Sequence, residues 1–337
     1  MVHLTRSPRT LLAGAILALA LAHPLAAQQA EPVPAKPSAP ASTGVKISGY
    51  IQARETIQKD IGLTASINRA RLGATGGIAG DFTWKIQGEF RTGSAGKGAS
   101  VALTDGYIRW ARQGFGIQAG QFKTPFSREY YTSLPDLETA DRSTVVDSLA
   151  PKRDIGVMAD YAYRKLATLQ AGLFNGEGQN VTSNKDSTLL GVARVVVKPV
   201  PELALGAHVA RYFGDSTRYG VDASYEAARF LVRGEYAAQA RDDVGGDNDQ
   251  GWFALAAFKL LDQVQLVGKY EDFSRDAISA QQQNQAWTGA VNLFLHGTAV
   301  KLALEYIENA PLDASGAEHW IPFVQSLLIS NEFTFVD

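Results

Sequence analysis

The sequence predicts an all-β protein, a transmembrane antiparallel β-barrel of about sixteen strands, and three observations predict it. Leu103 to Trp110 alternates strictly, with Asp105, Tyr107 and Arg109 on one side and Gly106, Ile108 and Trp110 on the other. Gln113-Gly114 then joins it to a second alternating run, Phe115 to Gln121, which is the pattern of an antiparallel hairpin. The rest of the chain repeats that hairpin, but the long irregular segment from Phe122 to Lys152 occurs once.

Residues 1–27 read as a secretory signal peptide. Arg6 and Arg9 are basic, Leu11 to Ala22 is apolar, and Leu25-Ala26-Ala27 ends in small residues. That apolar run is shorter than the roughly 20 helical residues that cross a bilayer. Residues 28–44 are rich in proline and alanine and read as an extended periplasmic linker. The barrel is expected over 45–337.

Cysteine is absent, so an exported fold must be held by something other than disulfides, and a closed hydrogen-bond ladder suffices. Loss of the signal changes 32 basic against 34 acidic residues to 30 against 34, a formal charge of −4. This balance argues against a nucleic-acid partner, which calls for a basic domain. Mean hydropathy is −0.10, a value that a barrel with one wet face shares with soluble proteins.

Strands are expected at 45–55, 66–77, 82–92, 101–112, 115–121, 153–163, 167–174 and 188–198. A second set follows at 202–212, 217–226, 229–240, 250–261, 263–272, 285–296, 298–307 and 322–336. Connections after even-numbered strands are tight. Those after odd-numbered strands are mostly longer and polar: Thr56 to Ala65, Gly93 to Ser100, Phe122 to Lys152, Asn175 to Ser187, Phe213 to Ser216, Arg241 to Asp249, Phe273 to Asn284 and Glu308 to Ile321. Sorting of loop length by strand parity belongs to barrels with periplasmic turns on one side and extracellular loops on the other.

Charge orients the faces. An Arg or Lys facing lipid at mid-bilayer costs about 2–4 kcal/mol, so the charged faces point inward around water. Phe82, Trp84, Ile86 and Phe90 therefore face lipid, and Lys85, Gln87, Glu89 and Arg91 face the lumen. The run Gly251 to Leu260 is an exception, apolar on both faces apart from Lys259. Arg211 and Asn331 fall on otherwise apolar faces. Sixteen strands enclose an aqueous channel, which smaller barrels fill with side chains.

The inward basic residues Arg69, Arg71, Lys85, Arg91, Arg109, Arg194 and Arg233, joined by Lys123, are the candidate anion path. Inward acids, among them Glu89, Asp105, Asp222, Glu235, Glu271, Glu305 and Glu332, give the wall mixed sign, so ion pairs that stiffen it are the other reading of the same residues. The long loop carries Arg128, Glu129, Asp136, Glu138, Asp141 and Arg142, again of both signs. Asp242 to Asp249 is an acidic outer loop without metal-ligand spacing, and His208 and His296 form no close ligand pair. No metal and no cofactor is called for, and no catalytic residue is assigned.

Arg69-Ala70-Arg71-Leu72-Gly73, Leu103 to Trp110, Gly120 to Ser127 (GQFKTPFS), Arg153 to Val157 (RDIGV) and Phe174 to Gly178 (FNGEG) occur in this order. Together they resemble the phosphate-selective porin O and P family, over roughly Val45 to Gly178. The resemblance implies a homotrimeric outer-membrane porin of a Gram-negative-type bacterium, with the third loop folded into the lumen as a constriction. It also implies arginines and lysines lining the path of anions. The terminal Phe333-Thr334-Phe335-Val336-Asp337 lacks the C-terminal aromatic of such barrels. The expected function is passive diffusion of small hydrophilic solutes or anions, phosphate included, with outer-membrane lipid and the barrel-assembly machinery as partners. A plugged barrel serving as adhesin or enzyme scaffold and a soluble exported sandwich are the alternatives.

Overall fold

The computed structural model describes residues 44–58, 61–91, 99–184, 187–242, 249–277, 280–311 and 321–336. For Arg91, 276–277, 280–283, 310–311 and 321–336 the backbone alone is described. The expected signal peptide and nearly all of the linker lie outside these residues, as do the side chains of Arg91, Asn331 and Glu332.

Sixteen strands run in chain order: β1 Val45–Gln58, β2 Gly62–Ile78, β3 Phe82–Arg91, β4 Ser100–Arg112, β5 Phe115–Lys123, β6 Arg153–Tyr163, β7 Ala167–Phe174 and β8 Leu190–Val200. They continue as β9 Leu203–Tyr212, β10 Ser216–Ala227, β11 Phe230–Arg241, β12 Gln250–Leu261, β13 Val264–Ala277, β14 Ala280–Phe294, β15 Val300–Pro311 and β16 Ile321–Val336. Each pairs antiparallel with its chain neighbours, and β1 pairs with β16 from Lys46↔Val336 to Gln58↔Phe323, which closes the barrel. Closure leaves no strand edge unpaired in the membrane.

The inner turns follow their sequences. Gln113 (φ 51°) and Gly114 (φ 85°) both take positive φ, which a two-residue type I′ hairpin demands and a Gly in second place makes cheap. Three outer connections are tighter than expected. β1 continues to Gln58 and β2 begins at Gly62, β13 reaches Ala277 with β14 from Ala280, and β15 runs to Pro311. Apolar alternation marks only the stretch in contact with lipid. The backbone ladder needs no apolar side chains and continues above the membrane through polar residues.

Outside, Tyr236, Trp252, Tyr270 and Trp287 lie on adjacent strands, with ring centroids 5.3 Å (Trp252–Tyr270) and 4.6 Å (Tyr270–Trp287) apart. Aromatic rings are at home at this level, where lipid meets water. Arg211, out of place by alternation, sits at the outer end of β9 and donates twice to Asp242, at 2.6 and 2.8 Å.

The apolar core lies inside the barrel, under the long loop. That loop contains helix α1 (Arg128–Tyr131), a 3-10 turn (Leu134–Asp136) and helix α2 (Thr144–Leu149). Phe126, Val145, Val146 and Leu149, all at most 1 % exposed, share one cluster with Leu231, Phe253, Leu255, Ala257 and Val267. This accounts for β12. Its inward residues Phe253, Leu255 and Ala257 are apolar because α2 covers them, whereas elsewhere the inward face meets water.

Gly120 (φ 129°) is the point where β5 leaves its regular course before the loop. A Cβ there would overlap Gly106 O and stand 2.8 Å from Tyr107 Cα. Gly120→Ala is therefore expected to block assembly, since both the backbone conformation and the β4 wall forbid the methyl group. The heat-modifiable mobility of the barrel on electrophoresis is the check, with the unfolded position expected.

Candidate functional site: the lumen and its inward loop

The motif Gly120 to Ser127 turns the chain from wall to lumen. The Thr124 amide and hydroxyl both donate to Lys152 O, at 3.0 and 2.9 Å, closing the neck of the loop. The Ser127 hydroxyl caps α1 by accepting from Tyr130 N at 3.0 Å. Lys123 Nζ donates to the carbonyls of Tyr131 (3.1 Å) and Thr132 (2.9 Å). The structure thus places Lys123, a candidate for the anion path, on the loop's own backbone. At the other motifs, the Asp154 carboxylate accepts from Ile155 N and Gly176 N, which ties RDIGV to FNGEG.

From that neck the loop crosses to the far wall. Arg233 pairs with Glu138, and Lys301 Nζ donates to Pro135 O (3.0 Å) and Leu137 O (2.7 Å). Glu305 accepts from Ala140 N, Glu271 from Thr144, Glu235 from Glu129 N, and Asn292 donates to Glu138 O. Arg128, Glu129 and Glu138 are buried against this wall. Arg142 stacks over the Tyr130 ring and donates to the carbonyls of Glu129, Tyr130 and Thr132, so it holds the loop's shape from within. Burial raises the Glu129 pKa, against the Lys269 charge and the hydrogen bonds from Ser143. Asp136 stands at the end of the 3-10 turn.

Beneath the loop, Arg194 meets Asp222 at 3.0 Å, with His208 and Glu235 beside them. Lys269 meets Glu271 at 3.0 Å. These side chains are nearly all sealed from water. Arg194 and Arg233, candidates for the anion path, are therefore placed under or against the loop.

The other side of the lumen, β1 to β6, differs. Arg71 Nε donates to Glu89 at 2.6 Å, and Arg109 clasps Asp160 with two hydrogen bonds, at 2.6 and 2.8 Å. Gly116 leaves room for that pair, because a Cβ there would fall on the Arg109 guanidinium and 2.7 Å from Asp160. Lys85 and Arg153 share Asp105, both at 2.8 Å. Arg54 and Arg69 share Asp141, at 2.8 and 3.8 Å. In these contacts six cations share four carboxylates, and two carboxylates each face two cations. Arg54 and Arg153 escaped the sequence reading; Arg54 lay near the end assigned to its strand and Arg153 at the first residue after the loop.

A β-bulge completes the arrangement. Asn68 is the extra residue of β2, falling between the pairs Ala53↔Ile67 and Gln52↔Arg69. It turns Arg69 and Arg71 inward, and its amide lies 2.8 Å from both Arg54 Nη2 and Arg69 Nη1, so the orientation that satisfies all three groups is the one that points its oxygen at the two guanidinium groups. Down the wall from outside to periplasm come Arg54, Arg69, Arg71, Lys85 and Arg109, each partly open to water. Burial pushes the Asp141 pKa up, but the hydrogen bond from Arg54 and the charges of Arg54 and Arg69 outweigh it and hold that pKa below the ordinary range. Among the described residues no group of three or more His, Cys, Asp or Glu gathers as a metal would require.

Against known proteins, residues 48–214 match the family described as phosphate-selective porin O and P. No curated protein matches the chain in sequence. Among solved structures, a loop-deletion mutant of OmpT, an outer-membrane protein of Vibrio cholerae, superimposes with TM-score 0.67 at 14 % identity, covering 87 % of this chain and 100 % of its own. An anion-selective porin from Comamonas acidovorans gives 0.66 at 14 % identity, with 87 % and 100 % covered. In-vitro folded OmpT of Vibrio cholerae, in a trimer form, gives 0.63 at 14 %, also with 87 % and 100 % covered. The motifs that shape the loop neck and the β2 arginines lie within the matched segment, and the barrel extends over the remainder. Residues 48–214 are thus similar to the phosphate-selective porin O and P family, and the chain as a whole takes the barrel fold of outer-membrane porins.

Proposed function

We propose that this porin passes small hydrophilic anions, phosphate among them, through the crescent between the inward loop and strands β1 to β6. The observation that carries the reading is the charge excess on that side, where two carboxylates each serve two cations. The opposite wall supports the same reading. There Arg194, Lys269 and Lys301 lie at or below 7 % exposure under the loop, so their fields are spent on carboxylates and carbonyls. A channel lined by an excess of Arg and Lys favours anions without any chemical step or energy source. Within this reading Arg69, Arg71, Lys85 and Arg109 line the path. Lys123, Arg128, Glu129, Glu138 and Arg142 fix the constriction, and Arg194 and Arg233 anchor it. Homotrimeric assembly, supported by the trimer form of the Vibrio cholerae relative, and insertion by the barrel-assembly machinery are part of the same proposal.

The test is single-channel recording of the purified mature protein in a planar bilayer. Under a KCl gradient the reversal potential is expected on the chloride side, and added phosphate is expected to block the current. Steps without selectivity or block would make it a general porin. Folded protein without steps would favour the plugged scaffold.

A further inference from the structure

The lipid face of β6 to β8 is not a smooth wall. Ala159, Ala171 and Ala193 pair in one outward row across these three strands, Ala159 with Ala171 and Ala171 with Ala193. The next row toward the periplasm is bulky, with Tyr161 opposite Leu169 and Leu169 opposite Val195. Tyr161 and Leu169 are 43 % and 52 % exposed, so both stand out into the lipid. On the other side of the alanines, Val157 is opposite Leu173. Three methyl groups between two bulky rows make the floor of a trough. It holds about 540 Å³ and continues past Val157 and Leu173 into a second depression of about 520 Å³. The periplasmic turns beside and below it are basic. Arg112, Arg164 and Lys165 are exposed and Lys198 is half-buried. Backbone hydrogen bonds hold the three turns side by side, Ala162 N to Gly114 O at 2.8 Å and Lys198 N to Leu166 O at 2.7 Å. Among the described residues these turns carry those four cations and one acid, Glu202, at their edge. The Arg164 guanidinium lies 5.4 Å from the centre of the outward Tyr163 ring, which turns it to the lipid side.

We infer that trough and turns together bind one anionic glycerophospholipid of the inner leaflet. Its phosphate lies among Arg112, Arg164, Lys165 and Lys198, and an acyl chain lies along the three alanines. The spacing suits such a molecule. Tyr161 stands three residues from Arg164, about 10 Å along the strand, and the headgroup layer on each side of a bilayer is about 5–8 Å deep. Entering the trough gains no hydrophobic energy, because the surrounding lipid is equally apolar. The gain is dispersion contact on three sides of the chain, where a flat wall offers one. Selectivity comes from charge, since cations at the membrane surface attract anionic headgroups and a zwitterionic headgroup gains far less. The inference depends on the barrel and its orientation alone, and not on which ions pass through the lumen.

The experiment titrates the folded mature protein in detergent with phosphatidylglycerol or phosphatidylethanolamine of identical acyl chains and counts bound lipid by native mass spectrometry. Phosphatidylglycerol is expected to bind at least about tenfold more tightly. The triple variant Arg112→Gln, Arg164→Gln, Lys165→Gln is expected to weaken phosphatidylglycerol about a hundredfold, roughly fivefold for each cation, and to leave phosphatidylethanolamine almost unchanged. Ala171→Phe fills the floor of the trough without touching a charge. It is expected to weaken both lipids severalfold and to keep their ratio. Ala171→Leu, a smaller filling, gives the same reading should the phenylalanine block assembly, and heat-modifiable mobility reports folding. Equal binding of the two lipids to the unaltered protein would overturn the headgroup site. Unchanged binding in the folded Ala171 variants would overturn the trough. Loss of an oligomer in those variants, with lipid binding intact, would assign the trough to a second copy of this chain and overturn the lipid as its occupant.

Discussion

Truncating Phe126 and Leu149 to alanine is expected to free the inward loop and raise single-channel conductance severalfold, with the barrel still folded. Both side chains are at most 1 % exposed, and they belong to the cluster that joins α2 to Leu231, Phe253, Leu255 and Val267. Truncation of a buried Phe costs about 3–5 kcal/mol and of a buried Leu about 2–5 kcal/mol. The two share neighbours, so their sum is an upper bound. Polar anchors such as Lys301 to Pro135 O and Leu137 O resist the release, but each hydrogen bond of this kind is worth only about 1–3 kcal/mol net. The barrel should survive because its strands are held by backbone pairing around the whole circuit, to which the loop contributes nothing. Heat-modifiable mobility at the folded position together with larger steps is the expected result. Unchanged steps from folded double mutant would mean that the polar anchors hold the loop by themselves.

The second large effect concerns charge. Arg69→Glu with Arg71→Glu is expected to move the reversal potential from the chloride side to the potassium side. The substitution turns six cations against four carboxylates into four against six along β1 to β6. A unit charge about 4 Å from an ion in water is worth about 1 kcal/mol, so even the neutralisation of two such charges, about 2 kcal/mol, shifts a permeability ratio roughly thirtyfold. Arg71 pairs with Glu89, which is 1 % exposed, so the double variant leaves a buried carboxylate facing another and strains the wall. Arg69→Gln is the safer companion, because Arg54 keeps Asp141 and only one charge is lost. It should move the potential in the same direction by a smaller step. No movement in either variant would place these side chains off the ion path.

Most of the barrel was legible in the chain. Alternation gave β6 (Arg153–Tyr163), β7 (Ala167–Phe174) and β12 (Gln250–Leu261) to the residue, and loop length told periplasmic from outer ends. Alternation is local: a strand between lipid and water must change partner with every residue, so each strand reports its own environment. It under-read the strand ends at Gln58, Ala277 and Pro311 because above the membrane both faces meet water and the period carries no information.

The site divided differently. The sequence by itself determined which residues point inward, since lipid repels charge from the other face. It did not determine which inward residues meet solute. Arg69 and Arg194 have the same signature in sequence, yet one lies partly open beside Asp141 and the other is sealed with Asp222 under the loop. Lys123 reads as a lumen cation and is bound to two loop carbonyls. The apolar inward face of β12 was visible but inexplicable until α2 was found on it. Only the tertiary structure decided these matters. The path of a loop across a lumen is fixed by contacts between residues more than a hundred positions apart, such as Lys301 with Leu137, and no periodicity encodes them.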